Sequence, residues 1–262
     1  MKTIKNFSVL CIFLLITQLS FAWGTNGHRI VAEIAERHLT NKAKKNIKKL
    51  IGNQKLAYWA NWPDFIKSNE AYDFSGSWHY VNIPGDLEHS KFLTTMEETT
   101  DANMYKRGLI LMNELQDENI SNEAKKEKLY FLIHILGDSH QPMHVGRAED
   151  LGGNKITVEW FGSRANIHSV WDSKLVDYEK YSYTEYCDVL DILSKEENKK
   201  LMEKEYIDWI FETYQLSNNI YKEVKIDDKL GYKYHYLNKE NVENQLLKGG
   251  LRLAKVLNTI FG

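Results

Sequence analysis

The chain has 262 residues, and 34 lysines and arginines stand against 36 aspartates and glutamates, so its formal net charge is −2. This balance excludes a protein whose whole surface attracts polyanions, so any contact with a nucleic acid must be local. Of the two cysteines, only Cys187 lies beyond the first 22 residues, which excludes an intramolecular disulfide in the rest of the chain.

The first 22 residues carry the features of a secretory signal peptide. Lys2 and Lys5 precede an apolar stretch over 7–21, and the sequence Ser-Phe-Ala ending at Ala22 places small residues at a cleavage site. The apolar stretch is too short and too poorly flanked to span a membrane. We predict a mature chain that begins at Trp23 and is exported to the periplasm or the exterior of a bacterium.

Beyond the signal peptide, apolar residues recur with helical spacing in most of the chain. We predict helices at 27–39, 41–51, 102–117, 122–137, 168–178, 184–194, 197–222 and 240–260. The stretch KITVEWF at 155–161 follows a pair of glycines and predicts one strand of a small hairpin. The segments 53–100 and 144–166 are predicted as long loops, which usually serve function in a compact domain. The predicted fold class is mainly α, a single helical domain over 23–262 with a small β-hairpin.

Histidine and aspartate recur in pairs that suit one face of a helix. His134 and Asp138 are four residues apart in FLIHILGDSHQPMH, and His168 and Asp172 repeat that spacing in HSVWD. Residues four apart on a helix project side by side. His144 follows a proline that can turn it back toward the first pair. Burying so many titratable groups without partners is costly, so the pattern indicates a bound cation.

Three further candidates lie upstream in short motifs. Asp64 stands in NWPD, His79 in WHYVN and His28 in WGTNGH. Imidazole and carboxylate ligands together suit zinc, with manganese or iron as alternatives. Eight ligand-type residues exceed what one tetrahedral ion needs, so we predict a multinuclear site. A metal store without catalysis is also compatible with these residues.

Other polar and aromatic residues have simpler interpretations. The lysines of 42–49 are predicted to form a solvated helix face rather than a nucleic-acid patch. Cys187 is predicted to be a small core residue, and His140 to donate to a metal ligand. We expect His38, His89 and His235 at the surface and the tryptophans at 59, 62, 160 and 209 in the core.

Six motifs occur in a fixed order between Trp23 and Asp172. They are WGTNGHRIVAEIA, WANWPD, WHYVNIP, FLIHILGDSHQPMHVG, GGN and NIHSVWD. In content and order they resemble the S1/P1 family of trinuclear-zinc, single-strand nucleases. Zinc phospholipase C is a more distant relative of that family with the same fold. The resemblance implies a zinc phospholipase C/P1 nuclease-like helical fold.

The resemblance also implies a set of ligands for three Zn²⁺ ions. One zinc would be held by Asp64, His79, His134 and Asp138, and a second by His144, His168 and Asp172. The third would use the amino group and carbonyl of Trp23 together with His28 and Asp138. Only signal-peptide cleavage exposes that amine, whose pKa near 8 lets a metal displace its proton close to neutral pH.

The activity implied by the resemblance is hydrolysis of single-stranded DNA and RNA to 5′-phosphorylated nucleotides, with release of phosphate from nucleoside 3′-phosphates. Asp64 would orient the attacking water, and Lys67 stands where the family often has an arginine. Tyr80 would stack on a base, with Asn82 hydrogen bonding to its edge and Asn154 nearby. The enzyme is expected to be a monomer without stable membrane association. A lipid phosphodiesterase like zinc phospholipase C, or a non-catalytic zinc-binding protein, is the alternative.

Overall fold

The computed structural model describes residues 23–99 and 102–262, so the predicted signal peptide lies outside the described residues. The described chain is mainly α-helical, as predicted. Its α-helices are α1 (Thr25–Arg37), α2 (Asn41–Ile51), α3 (Leu56–Trp59), α4 (Trp62–Ile66), α5 (His89–Glu98), α6 (Met104–Glu114), α7 (Asn122–Asp138), α8 (Ile167–Ser169), α9 (Leu175–Tyr178), α10 (Tyr183–Leu190), α11 (Lys195–Leu201), α12 (Tyr206–Glu223) and α13 (Tyr232–Phe261). Glu70–His79 and Pro142–Val145 are 3-10 helices, and Val170–Lys174 is a π-helical turn between α8 and α9. Among the described helices, none is both long and apolar enough to cross a membrane.

The prediction of a long loop over 53–100 is wrong. Four short helices, α3, α4, α5 and the 3-10 helix Glu70–His79, occupy most of that segment. Helices of four or five residues, such as α3 and α4, are too short to show a helical period in the sequence. Pro63 lies in the first turn of α4, where its missing N–H leaves no helical hydrogen bond unmade. These short helices bring Asp64 and His79 to the centre of the molecule.

Two predicted helices have different limits in the structure. The predicted helix 197–222 is interrupted, and Lys204, with a φ of 69°, lies between α11 and α12. The final helix begins at Tyr232 rather than 240, because the polar first turns of α13 carry little periodic signal. The predicted helix 168–178 corresponds to α8, the π-helical turn and α9 taken together.

The predicted hairpin is present and carries a third strand. Strands β1 (Thr157–Trp160) and β2 (Ser163–Asn166) pair antiparallel through a two-residue turn. Phe161 and Gly162 in that turn have φ values of 49° and 77°, as the tightest hairpin turns require. Strand β3 (Asp228–Leu230) pairs parallel with β1 and was outside the prediction, because three residues are too few for an alternating pattern.

The helices enclose one hydrophobic core around α1, α7 and α13. Helices α1 and α13 approach closely because α13 presents a glycine where they meet. A Cβ on Gly250 would lie 2.5 Å from the Cβ of Ile34, so only glycine permits this contact. The C-terminal half of α7, residues 129–138, is buried on every side. This burial places the end of α7, with its His134 and Asp138, inside the protein.

Candidate metal centre

Asp138 lies at the middle of a cluster of four imidazole rings. Its Oδ1 is 3.3 Å from Nε2 of His28 and 3.4 Å from Nδ1 of His144. Its Oδ2 is 3.1 Å from Nδ1 of His79 and 3.2 Å from Nε2 of His134. The two oxygens of one fully buried carboxylate therefore face different pairs of imidazole rings. A buried carboxylate among several imidazoles offers the mixed oxygen and nitrogen donors of a metal site.

Asp64 joins this cluster from the first turn of α4. Its Oδ1 lies 3.7 Å from Nε2 of His134 and 3.9 Å from Nδ1 of His79. The same oxygen accepts a hydrogen bond from Nζ of Lys67, 2.8 Å away. The Lys67 side chain is partly exposed, so Asp64 contacts both the buried histidines and an ammonium group at the protein surface.

A second cluster lies beside the first and includes His144, His168 and Asp172. The Asp172 oxygens are 3.5 Å from Nε2 of His144 and 3.3 Å from Nε2 of His168. Asp172 belongs to the π-helical turn Val170–Lys174, a local widening of a helix that often marks functional sites. The spacing of four residues between His168 and Asp172 therefore brings them together as predicted.

Backbone carbonyls fix the orientation of three of these rings. Nδ1 of His134, His144 and His168 lies 2.7 Å from the carbonyl oxygens of Ala60, His79 and Gly152 respectively. A carbonyl oxygen can only accept, so each Nδ1 carries the proton and donates it. In the neutral ring Nε2 then bears a lone pair, which is the arrangement typical of histidines that bind metals.

The donor atoms form a set that a cation would complete. For neutral rings, the lone pairs on Nε2 of His144 and His168 would face the carboxylate of Asp172, and two such groups repel unless a cation lies between them. Oδ1 of Asp138 and both ring nitrogens of His28 are buried without a hydrogen-bond partner among the described residues. Three groups have donor atoms within 4.8 Å of one another: His28, Asp64 and His134; His79, His134 and Asp138; His144, His168 and Asp172. The residues present therefore fit metal binding.

The electrostatics of the cluster also favour positive charge. Burial alone would raise the pKa of Asp138, but the surrounding histidines outweigh it and hold that pKa well below its usual value. Burial lowers the pKa of His79 to about 4 and also lowers that of His28. Burial opposes the charging of His134, yet the carboxylates of Asp138 and Asp64 raise its pKa. The carboxylates are thus ionised, the form that binds metal, whereas His134 and His144, whose pKa values are raised despite burial by the carboxylates beside them, would release a proton when a metal binds.

Trp23 begins the described chain and is fully buried. The next residue is fastened to the second cluster, because the Gly24 N–H donates to the carbonyl oxygen of Asp172 at 2.8 Å. The His28 ring packs directly against Gly137 of α7, since a Cβ on Gly137 would lie 2.8 Å from Nδ1 of His28. The start of the described chain therefore lies against a segment that carries two predicted ligands.

The two clusters open into a cleft with a volume of about 270 Å³. Four of the five residues predicted to be catalytic or to bind substrate line it, namely Lys67, Tyr80, Asn82 and Asn154, and the fifth, Asp64, lies behind Lys67. Tyr80 is 42 % exposed, so its ring is available at the cleft. The Asn154 side chain donates to the carbonyl oxygen of Leu151 at 2.8 Å, which fixes its orientation at the rim.

Gln141 is a residue of the site that the sequence motifs did not predict. It is fully buried, its Nε2 donates to Oδ1 of Asp172, and its Oε1 accepts from the backbone N–H of Met143. The sequence signal that could have identified Gln141 is its position between Asp138, the last proposed ligand of α7, and His144. The prediction for His140 is wrong, because its ring contacts the Leu136 carbonyl and the guanidinium of Arg252 instead of a ligand.

The remaining sequence predictions have mixed outcomes. His235 is not a surface residue: its side chain is 13 % exposed and Nε2 lies 2.7 Å from Glu179. His38 is also partly buried, with Asp191 at 2.8 Å, whereas His89 is half exposed. Cys187 is a core residue, the lysines of 42–49 are exposed, and Trp160 and Trp209 are buried while Trp59 and Trp62 pack partly buried against the core.

Fold and site together define a mainly helical protein whose buried histidines and aspartates can hold metal ions beneath an open cleft. The model of the S1/P1 nuclease family matches residues 23–262. Endonuclease 3 of Arabidopsis thaliana is 31 % identical, over 95 % of this chain and 93 % of its own. Nuclease S1 of Aspergillus oryzae is 27 % identical over 65 % of this chain and 60 % of its own, and nuclease P1 of Penicillium citrinum is 30 % identical over 58 % and 57 %. The chain belongs to the S1/P1 nuclease family, which confirms the resemblance.

Proposed function

We propose that this protein is an exported, zinc-dependent nuclease. It hydrolyses single-stranded DNA and RNA to 5′-phosphorylated nucleotides and removes phosphate from nucleoside 3′-phosphates. The observation that carries the proposal is the convergence of buried imidazole nitrogens and carboxylates at the floor of a cleft with a tyrosine and two asparagines. The names of the relatives, an endonuclease and two nucleases, support hydrolysis of nucleic acid.

We assign the ligands of three zinc ions as the resemblance implies. The first ion is held by Asp64, His79, His134 and Asp138, the second by His144, His168 and Asp172, and the third by His28, Asp138 and the amino group and carbonyl of Trp23. The central position of Asp138 between His28 and His134 supports its role as the shared ligand. Bound zinc supplies Lewis acidity, which lowers the pKa of water and stabilises negative charge on phosphate oxygens.

Asp64 and Lys67 are the side chains proposed to act directly on the reacting groups. The Asp64 carboxylate is positioned to accept a hydrogen bond from the attacking water and to orient it toward phosphorus. The Lys67 ammonium lies at the cleft, 2.8 Å from Asp64, and can place positive charge beside a phosphate oxygen. Lysine offers a point charge and cannot form the bidentate contact of an arginine.

Tyr80 and Asn82 are proposed to bind the base. A base that stacks on the exposed Tyr80 ring must be unpaired, which gives a physical reason for single-strand preference. Asn82 and Asn154 offer amide groups that can hydrogen bond to the edge of that base or to the sugar.

The deciding experiment uses protein processed to begin at Trp23 and loaded with zinc. We expect acid-soluble, 5′-phosphorylated products from single-stranded DNA and RNA, and release of inorganic phosphate from a nucleoside 3′-monophosphate. Phosphatidylcholine is assayed in parallel. Turnover of the lipid alone would establish a lipid phosphodiesterase instead, and zinc uptake without turnover of either substrate would establish a metal-binding protein.

A further inference from the structure

A second groove leads away from the metal cleft. Its volume is about 310 Å³, and Asn82 lines both this groove and the cleft, so the two are adjacent. Residues 83–86 and 147–149 line it, and they include one cation, Arg147, and two carboxylates, Asp86 and Glu149. A strand bound at the cleft can therefore continue into this groove.

The guanidinium of Arg147 is held rigidly in the wall of the groove. Its Cζ lies 4.3 Å from the centre of the Tyr221 ring. On another side it packs against backbone, since a Cβ on Gly85 would lie 2.3 Å from Nη2. Tyr221 is itself fixed, because its hydroxyl donates to Asp150 at 2.9 Å. An arginine restrained in this way loses little side-chain entropy when it binds a ligand.

The charges around Arg147 leave it available for an anion. Its nearest carboxylate is Asp86, 3.7 Å from Nη2, and Asp86 is bound more closely by Lys222 at 2.7 Å. Nε of Arg147 is buried without a hydrogen-bond partner among the described residues, and 25 % of the side chain is exposed to the groove or to solvent. Glu149 is exposed at the rim and weakens the attraction for an anion without contacting the guanidinium.

We propose that Arg147 binds a backbone phosphate of the substrate strand outside the metal cleft. Arginine matches the geometry of a phosphate with two parallel hydrogen bonds, and single-stranded nucleic acid offers a phosphate at every nucleotide. The inference rests on the proposed function and deepens it. The groove selects strands of more than one nucleotide, whereas a nucleoside 3′-monophosphate occupies the cleft alone.

The test compares Arg147→Met with wild type on a single-stranded oligonucleotide and on a nucleoside 3′-monophosphate. We expect kcat/KM for the oligonucleotide to fall about tenfold, chiefly through KM, because one charge-assisted contact is lost. Activity on the mononucleotide should be unchanged. The slope of log KM against log salt should decrease by about 0.7 for one lost phosphate contact on a single strand. Arg164→Met, which removes an exposed arginine of β2 that lines neither the groove nor the cleft, is the matched control and should keep both activities.

Arg147→Lys separates charge from geometry, because it keeps the charge but loses the fork, and an intermediate KM is expected. An equal loss on both substrates, or no loss on either, would overturn the inference. Wild-type turnover tests the proposed function separately. Stopped-flow fluorescence anisotropy of a labelled oligonucleotide with the zinc-loaded variants, read before hydrolysis, compares binding directly, so weaker binding by Arg147→Met supports the subsite and equal binding refutes it.

Discussion

Gln141 connects two parts of the site that are distant in sequence, and its replacement is the sharpest test of the metal centre. Its amide donates to Oδ1 of Asp172, while Oδ2 of that carboxylate faces His168 at 3.3 Å. Loss of the amide leaves the carboxylate free to rotate away from the proposed zinc. Gln141→Met keeps the length of the side chain and removes both hydrogen bonds.

The expected magnitude follows from the burial of this contact. Gln141 is fully buried, and Asp172 is only 3 % exposed, so water cannot replace the lost donor easily. A buried hydrogen bond to a charged group contributes about 1.5–3 kcal/mol. Since about 1.4 kcal/mol corresponds to a tenfold change in an equilibrium constant, zinc at His144, His168 and Asp172 should bind about 10–100-fold more weakly.

The measurement is competition between the zinc-loaded protein and a chelator, which reports the number of ions and their affinities. One of three ions should be released at a lower chelator concentration, with the other two unchanged. Gln116→Met is the matched control, because Gln116 also donates through Nε2, to the carbonyl of Met112 at 3.0 Å, but lies at the surface. Unchanged affinity of all three ions in a folded Gln141→Met variant would refute the proposed orienting role.

Three further predictions address other parts of the molecule. An extra residue before Trp23 blocks its amine, so metal analysis should find two zinc ions instead of three and activity should be largely lost; full activity would contradict the N-terminal ligand. Gly137→Ala places a Cβ 2.8 Å from Nδ1 of His28, so the same ion should be lost, and an unchanged zinc count would show that the ring can move. Burial opposes ionisation of Glu212, but Arg252 outweighs it and lowers the pKa of Glu212 from 4.5 to about 2. The stabilisation is therefore complete above about pH 4.5 and is lost as the pH falls toward 2, an effect of roughly 2–3 kcal/mol. Urea unfolding of Glu212→Gln should show a smaller loss of stability over that range, and identical pH profiles would contradict the assignment.

The sequence predicted the histidine and aspartate pairs of the candidate site better than it predicted the short helices around them. His134 with Asp138 and His168 with Asp172 were predicted to adjoin because helical geometry alone brings residues four apart together. That inference holds even where the second pair spans a π-helical turn. By contrast, Gln141 contacts Asp172 and Arg147 contacts Tyr221. These partners lie far apart in the sequence, so no local spacing predicts the contacts.

The segments predicted as loops contribute to the metal centre through their backbone. The carbonyl oxygens that orient His134, His144 and His168 belong to Ala60, His79 and Gly152. All three acceptors lie within 53–100 or 144–166. Every residue type has a backbone carbonyl, so the sequence carries no signal for this role. The motifs identify the histidine of each contact but not the carbonyl oxygen that accepts its hydrogen bond. Because these carbonyls set which ring nitrogen is free, we infer that the short helices around Ala60 and His79 must be folded before the imidazoles can present Nε2 to a metal. Metal affinity should therefore depend on the stability of this segment as well as on the ligands themselves.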